Sequence, residues 1–126
     1  MSMSNPQPVM INTNITIGSS GAVSSNTCTT MVTSVTHVST GIYRLNLANS
    51  YNAALTVIGT MQSPSSGLSG ILGIECQNAP NSSVTSSTAP TLTVKTLDAA
   101  GALANPASGS VLSVMAILSN SSVTIP

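Results

Sequence analysis

The chain has 126 residues, of which only 3% are charged, and its formal net charge is zero. With two basic residues, one histidine, two tyrosines and no phenylalanine or tryptophan, it lacks both the cations that bind phosphates and the aromatic platforms that stack bases. This composition argues against nucleic-acid binding, and the absence of an apolar run of about 18 residues argues against a transmembrane helix.

The surface is expected to consist of neutral side chains. An ordinary globular protein has about 25% charged residues, whereas this chain has Arg44, Lys95, Glu75 and Asp98 alone. Faces of Ser, Thr, Asn and Ala lose water at low cost, so one interpretation is that much of the surface packs against other subunits. The alternative is a stable secreted β-domain with a hydroxyl-rich coat.

The N-terminal sequence MSMSNPQPVM has neither the basic region nor the apolar run of a signal peptide, which predicts a protein made and kept in a cytoplasm. Cys28 and Cys76 are then expected to stay reduced and to act as small buried apolar side chains. A disulfide between them would require export.

The first elements are an arm and a long strand. Residues 1–8 are expected to be extended, because Pro6 and Pro8 cannot lie in a central strand. The alternation that follows predicts a strand over Val9–Ile17, with the odd-numbered residues on one face. A Gly/Ser turn and a weak strand over Ala22–Asn26 come next.

The next hairpin is the most regular part of the sequence. Met31–Val38 is rich in β-branched residues and Tyr43–Leu47 alternates large apolar with polar residues, so both are predicted strands joined by a short turn. Tyr43 belongs to the core by its place in that alternation. After a connection over Ala48–Ala54, the sequence from Leu55 to Gln62 repeats the period of two and predicts a further strand.

Three strands are predicted in the second half. Ile71–Cys76 is apolar on both faces, with Leu72 and Ile74 on the same one, and a low-complexity stretch expected to form a long exposed loop follows it. Thr91–Leu97 resumes the alternation. The almost continuously apolar Val111–Leu118 is expected to be a central strand covered on both faces.

Seven or eight short strands separated by Gly, Pro and Ser turns predict an all-β protein: an antiparallel sandwich, a jelly roll or a small barrel. We favour an antiparallel β-sandwich of jelly-roll type with an extended N-terminal arm. We expect residues 1–8 to form that arm and residues 9–126 to form one domain. The alternative is a β-prism or fibre-like trimer, but the sequence lacks the repeats of about 15 to 30 residues that a fibre would show.

The reactive side chains do not predict an enzyme. His37 could pair with Cys28 or Cys76, yet no third orienting group or family signature surrounds either cysteine. The same three residues lack the spacing of a zinc site. No catalytic residue, metal ligand or cofactor is therefore predicted.

The two acidic residues are assigned a structural role. Glu75 and Asp98 are expected to form salt bridges with Arg44 or Lys95 on a sheet face, rather than a catalytic pair of carboxyl groups.

Methionine and tyrosine are the side chains that could serve binding. Met31, Met61 and Met115 lie within predicted strands, where they could fill the core or offer an adaptable binding surface. Tyr51 lies in a connection and is the better candidate for an interface contact.

Several segments resemble a family of small structural proteins from tailed bacteriophages. Ser34–Leu47, SVTHVSTGIYRLNL, followed by Tyr51–Leu55, YNAAL, is similar to that family's SVTxxGTGxYTVTL-like hairpin and Tyr-x-x-Leu-Leu connection. The segment Asp98–Gly109 and the strand end Leu118–Val123 look like its C-terminal half.

The chain departs from the family pattern at two places. His37 and Val38 stand where a basic residue and threonine are usual, and Asn49 and Ser50 stand where acidic residues are common. Charge-based contacts of relatives are therefore not expected here.

The resemblance implies a capsid decoration, or cement, protein on the outer surface of the virion. Such a protein would be made in the host cytoplasm, bind the major capsid protein as a homodimer or homotrimer, and stabilise the shell, without nucleic-acid or membrane partners. The alternative is a tail-fibre or adhesin domain that binds host glycans, which the scarcity of aromatic residues disfavours.

Under this interpretation, contacts are expected from the arm, from Val9–Ile17 as an edge strand, and from the connection that carries Tyr51. The predicted interface residues are Ser2, Asn5, Pro6, Pro8, Val9, Ile11 and Tyr51.

Overall fold

The computed structural model describes residues 9–28, 31–49, 53–64, 68–76 and 91–119. The predicted arm, Tyr51 and the predicted loop over residues 77–90 lie outside these ranges. Within them, no helix is long and apolar enough to cross a membrane. The strands are β1 (Val9–Ile17), β2 (Val23–Cys28), β3 (Val32–Ser39), β4 (Ile42–Leu47), β5 (Ala53–Gln62), β6 (Gly73–Cys76), β7 (Thr91–Leu97) and β8 (Val111–Ser119).

The strands form two four-stranded sheets in which every pairing is antiparallel. The first sheet has the order β2-β1-β8-β5 and the second has the order β3-β4-β7-β6. The all-β antiparallel sandwich predicted from the sequence is therefore confirmed. The jelly-roll arrangement is not confirmed by these orders, which contain the β1–β2 and β3–β4 hairpins.

The alternation of each strand decides which side chains reach the core between the sheets. In β1 the residues from Ile11 to Ile17 alternate between buried and more exposed positions, as predicted. Both sheets contribute to one apolar cluster. Its buried members are Ile11, Ile15, Ile17, Leu112, Val114, Ala116 and Leu118 from the first sheet, and Val32, Tyr43, Leu45, Leu47, Leu92 and Val94 from the second.

The prediction that β1 is an edge strand is wrong. It pairs with β8 from Val9 to Thr16 and with β2 from Thr13 to Ile17, so it is an inner strand, and its first four residues have a single strand neighbour among the described residues. The Ile11 side chain is fully buried and Val9 packs against the core. A contact through the backbone of these two residues stays a prediction. Contacts at Ser2, Asn5, Pro6, Pro8 and Tyr51 stay predictions, because those residues lie outside the described ranges.

β8 is central, as expected, and among the described residues its outer face is open, with Met115 38% exposed. A second prediction about strand faces is wrong. Leu72 and Ile74 do not share an environment, since β6 begins only at Gly73. Leu72 is 79% exposed, whereas Ile74 packs against the core.

Candidate interaction surface

The outer face of the first sheet includes three adjacent rows of residues that lie in register across β1, β8 and β5. In each row the β8 residue is the partner of both neighbours. None of the nine is charged. We call this surface the uncharged face; its rows are Met10, Ile117 and Thr56; Asn12, Met115 and Ile58; and Asn14, Ser113 and Thr60.

The uncharged face exposes large apolar side chains. Met10 is 60% exposed and Ile58 is 51% exposed, and Met115 lies beside Ile58 in the middle row. A shallow depression of about 250 Å³ lies on this face, and it is lined both by the apolar side chains of Ile58 and Met115 and by polar side chains of the middle row and of the row that contains Ser113. Ser113 Oγ donates to Asn14 Oδ1 over 2.7 Å, so part of the polar row already satisfies itself. Such a mixture of apolar and self-paired polar groups is cheap to remove from water.

The outer face of the second sheet has the opposite character. Arg44, Lys95 and Glu75, three of the four charged residues, lie on this surface, which we call the charged face. Glu75 and Lys95 occupy directly opposed positions on β6 and β7. Opposite charges at such positions favour a sheet pairing, and the salt bridge expected from the sequence stays a prediction. Nearby, Asn46 Nδ2 donates to Thr36 Oγ1 over 3.1 Å.

Asp98, the fourth charged residue, shapes a turn. Its Oδ1 accepts hydrogen bonds from the backbone N–H groups of Ala100 and Ala102, at 2.9 and 3.0 Å. A carboxylate in this arrangement fixes the chain direction after β7. The structure therefore assigns Asp98 to this turn rather than to the salt bridge expected from the sequence.

A polar cluster around Asn105 joins three connections at one end of the sandwich. Asn105 Oδ1 accepts from the Gly41 N–H at 2.9 Å, and its Nδ2 donates to the Ser20 carbonyl at 3.2 Å. These two bonds fix the orientation of the amide. His37 Nε2 lies 3.0 Å from the same Oδ1. Because an amide oxygen can only accept, Nε2 carries the hydrogen and donates this bond to Asn105.

Tyr43 connects this cluster to the core. Its ring stacks on His37 with a centroid separation of 4.9 Å, and its hydroxyl donates to the Gly21 carbonyl at 2.7 Å. Burial raises the pKa of the Tyr43 phenol to about 12, because the phenolate would be poorly solvated there. Gly21 has φ +77°, and an added Cβ would lie 2.4 Å from Asn105 Cγ, so only glycine fits. The polar groups of this cluster bond to one another and to connections of both sheets, which gives them a structural role.

The structure does not bring Cys28 and His37 together as a reactive pair. The free Cys28 thiol donates to Asn26 Oδ1 at 3.2 Å, whereas the His37 ring is bonded to Asn105. β3 begins at Val32, and His37 lies five residues further along this strand. The distance from Val32 to His37 is therefore about 16 Å. Across the described ranges, no group of three or more His, Cys, Asp or Glu side chains could hold a metal ion.

A second apolar surface, not singled out from the sequence, lies between β5 and the segment before β6. Leu68 and Leu72 are 84% and 79% exposed. They lie in two adjoining depressions of about 310 and 370 Å³, which share Met61, Ile71 and Leu72. We call these four residues, Met61, Leu68, Ile71 and Leu72, the leucine groove. The Gly and Ser residues around Leu68 predicted a loop and gave no sign of its exposure.

Comparisons of the chain with protein-family models, with curated proteins and with solved structures find no match.

Proposed function

We propose that this protein is a structural component of a tailed-bacteriophage virion, and that it acts as a decoration protein on the outer surface of the capsid. It binds the major capsid protein as a homodimer or homotrimer and stabilises the shell. The uncharged face carries this proposal, together with the resemblance of residues 34–47 and 98–109 to small virion proteins.

The mechanism is the burial of a neutral surface. Removing charged groups from water is costly unless each one finds a partner, and the cores of protein interfaces are accordingly depleted in charge. On the uncharged face, Met10, Ile58 and Met115 offer apolar area, and no charge has to be matched. A shell subunit can cover this face without supplying a complementary ion.

The charged face supports the same orientation. Arg44 and Glu75 are exposed on the opposite side of the sandwich, where they remain hydrated if the uncharged face lies on the shell. A decoration protein with its charges towards solvent keeps the decorated particle dispersed.

The alternative role, glycan binding by a tail-fibre or adhesin domain, finds less support. Sugar sites commonly use exposed aromatic rings, and Tyr43 is fully buried with its hydroxyl bonded to Gly21. Tyr51 lies outside the described residues. Binding of the purified protein to a glycan array would reverse this ranking.

The proposal is tested by asking whether the protein belongs to particles. Virions from the source culture are separated on a density gradient, and each fraction is probed with an antibody raised against the purified chain. We expect the protein to band with the major capsid protein and to leave the particles only under conditions that dissociate the shell. Recovery entirely in the soluble fractions would contradict the proposal.

A further inference from the structure

The four sheet edges of the sandwich differ in how well they are protected against pairing with another chain. Exposed edges normally carry charge, proline, irregular pairing or short length, which discourage added strands. The edge strands here are β2, β5, β3 and β6. β5 is the longest of the four, with ten residues, and its sequence AALTVIGTMQ contains neither charge nor proline.

The other three edges have such protection. The register of β2 against β1 shifts between Thr16 and Ile17, and four of the six residues of β2 are exposed polar side chains. β3 shows two register shifts against β4. β6 has four residues and includes Glu75. β5 has one register shift against β8, between Ala54 and Thr56, near the start of the strand. From Thr56 onwards its register is regular, which leaves a straight template on its other side.

The sequence of β5 is nearly palindromic about Ile58. Thr56 and Thr60 lie at equal distances on either side, followed by the apolar Leu55 and Met61. We propose that two copies of this protein pair through β5, antiparallel to each other, with Ile58 on the two-fold axis. A two-fold interface uses the same patch on both subunits, which requires this kind of self-complementarity.

This register produces favourable cross-strand neighbours on the uncharged face. Ile58 meets Ile58 of the second copy, and each Thr56 meets a Thr60. Pairs of β-branched residues and pairs of threonines are both stabilising in antiparallel sheets. On the inner side, Val57 faces Gly59, so a larger residue is opposed by the smallest one. Ile58, which is 51% exposed in the single chain, becomes covered.

The leucine groove enlarges the contact beyond the strands. Gly59 and Thr60 of β5 line one of its depressions together with Leu72. A second copy at the β5 edge therefore also covers the exposed leucines that lie beneath that edge. Pairing of two strands alone would bury less than the approximately 800 Å² per partner of a typical stable interface, and the added apolar area raises it towards that value.

The dimer would join the two first sheets into one eight-stranded sheet with a continuous uncharged face. The inference rests on the proposed function only in taking the chain as an oligomer. It names the edge and the symmetry, which the proposed function leaves open. Dimerisation can be measured on the purified protein without any particle.

The test uses paired charges at Thr56 and Thr60. These residues lie four apart on one strand, so charges introduced there interact mainly across the proposed two-fold axis. Thr56→Lys/Thr60→Lys places lysine opposite lysine twice, whereas Thr56→Lys/Thr60→Glu places lysine opposite glutamate twice. Sedimentation equilibrium should give twice the 12.6 kDa chain mass for the wild type and for the Lys/Glu variant. The Lys/Lys variant should dissociate at least about tenfold more readily than the Lys/Glu variant.

A cross-linking experiment tests the symmetry axis separately. In a Cys28→Ala/Cys76→Ala background, Ile58→Cys should form a disulfide-linked dimer on mild oxidation, because directly opposed residues lie close enough to bridge. Met115→Cys, one strand further from the edge on the same face, is the matched control and should stay monomeric on a non-reducing gel.

Three results would overturn the inference. They are a monomeric wild-type protein, equal association of the Lys/Lys and Lys/Glu variants, and equal cross-linking at residues 58 and 115. Each would leave shell binding through the uncharged face open to its own test in particles, so failure of the dimer and failure of the proposed function are distinguishable.

Discussion

The two outer faces of the sandwich share one architecture and differ in chemistry. Each is the solvent side of a four-stranded antiparallel sheet over a common core. One carries Arg44, Lys95 and Glu75, while the other exposes Met10, Ile58 and Met115 and carries no charge in its three rows. The fold does not require this separation, because either outer face accepts polar residues equally well. Under the proposed function, the difference reflects what each face meets, with water over the charged face and protein over the uncharged face.

The largest effect is expected from placing a charge on the uncharged face. Met115→Asp should reduce binding to particles by roughly a hundredfold, or about 3 kcal/mol, because a buried carboxylate would have no partner. Thr93→Asp on the charged face is the matched control and should change binding less than about twofold. Both are measured by co-sedimentation with particles from which the native protein has been removed. Equal losses for the two variants would remove the distinction between the faces.

The second largest effect is expected from removing the hydrogen bond between the Tyr43 hydroxyl and the Gly21 carbonyl, which links the two sheets. Tyr43→Phe keeps the ring but leaves the Gly21 carbonyl without its 2.7 Å donor. We expect the free energy of unfolding in urea to fall by about 1–3 kcal/mol. Thr27→Val, at an exposed position of β2 outside the proposed dimer contact, should stay within about 0.5 kcal/mol of the wild type. If Tyr43→Phe is equally neutral, the link between the sheets lies elsewhere.

The same tyrosine predicts a pH dependence. Its pKa is about 12 in the folded protein and 10.0 as a free side chain, so the unfolded chain loses the phenolic proton first. The contribution of Tyr43 to stability is complete below pH 10 and falls as the pH rises towards 12. The slope is about 1.4 kcal/mol per pH unit within this window. The Tyr43→Phe variant should lack this component, and a difference between the two proteins that does not change from pH 9 to pH 11 would contradict the assignment.

The smallest effect is expected on the charged face. Lys95→Glu places like charges on opposed residues of β6 and β7 and should cost at most about 1 kcal/mol in unfolding free energy, since these groups are partly solvated. The exchanged pair Lys95→Glu/Glu75→Lys should recover most of that loss. Particle binding should be unchanged in both variants. Loss of binding in either would place a contact on the face that we assign to solvent.

The strands could be predicted because alternation is a local property. Val9–Ile17 and Thr91–Leu97 have the predicted bounds, and Tyr43 occupies the predicted core position. The sequence predicts a weak strand over Ala22–Asn26, whereas β2 runs from Val23 to Cys28. It is a full strand because β1 pairs with it in the sheet, and such tertiary pairing is not visible in the local pattern.

The neighbours of each strand could not be predicted in this way. Strong apolar alternation in β1 is equally consistent with an edge or an inner strand, and the sheet order places it inside. The apolar run of β8 suggests cover on both faces, yet in the part of the chain that the structure describes its outer face is open at Met115. The sequence therefore does not reveal the uncharged face. Met115 and Ile117 are large apolar residues, a type that is usually buried, so their pattern predicts core positions.

The central claim is that the uncharged face is covered in particles and the charged face is not. Chemical footprinting tests both halves in one sample, with methionine oxidation reporting on Met10 and Met115, and lysine acylation reporting on Lys95. We expect oxidation of both methionines to fall strongly when the free protein is compared with the particle-bound protein, while acylation of Lys95 stays the same. Unchanged oxidation at Met10 and Met115, or protection of Lys95 instead, would contradict the claim.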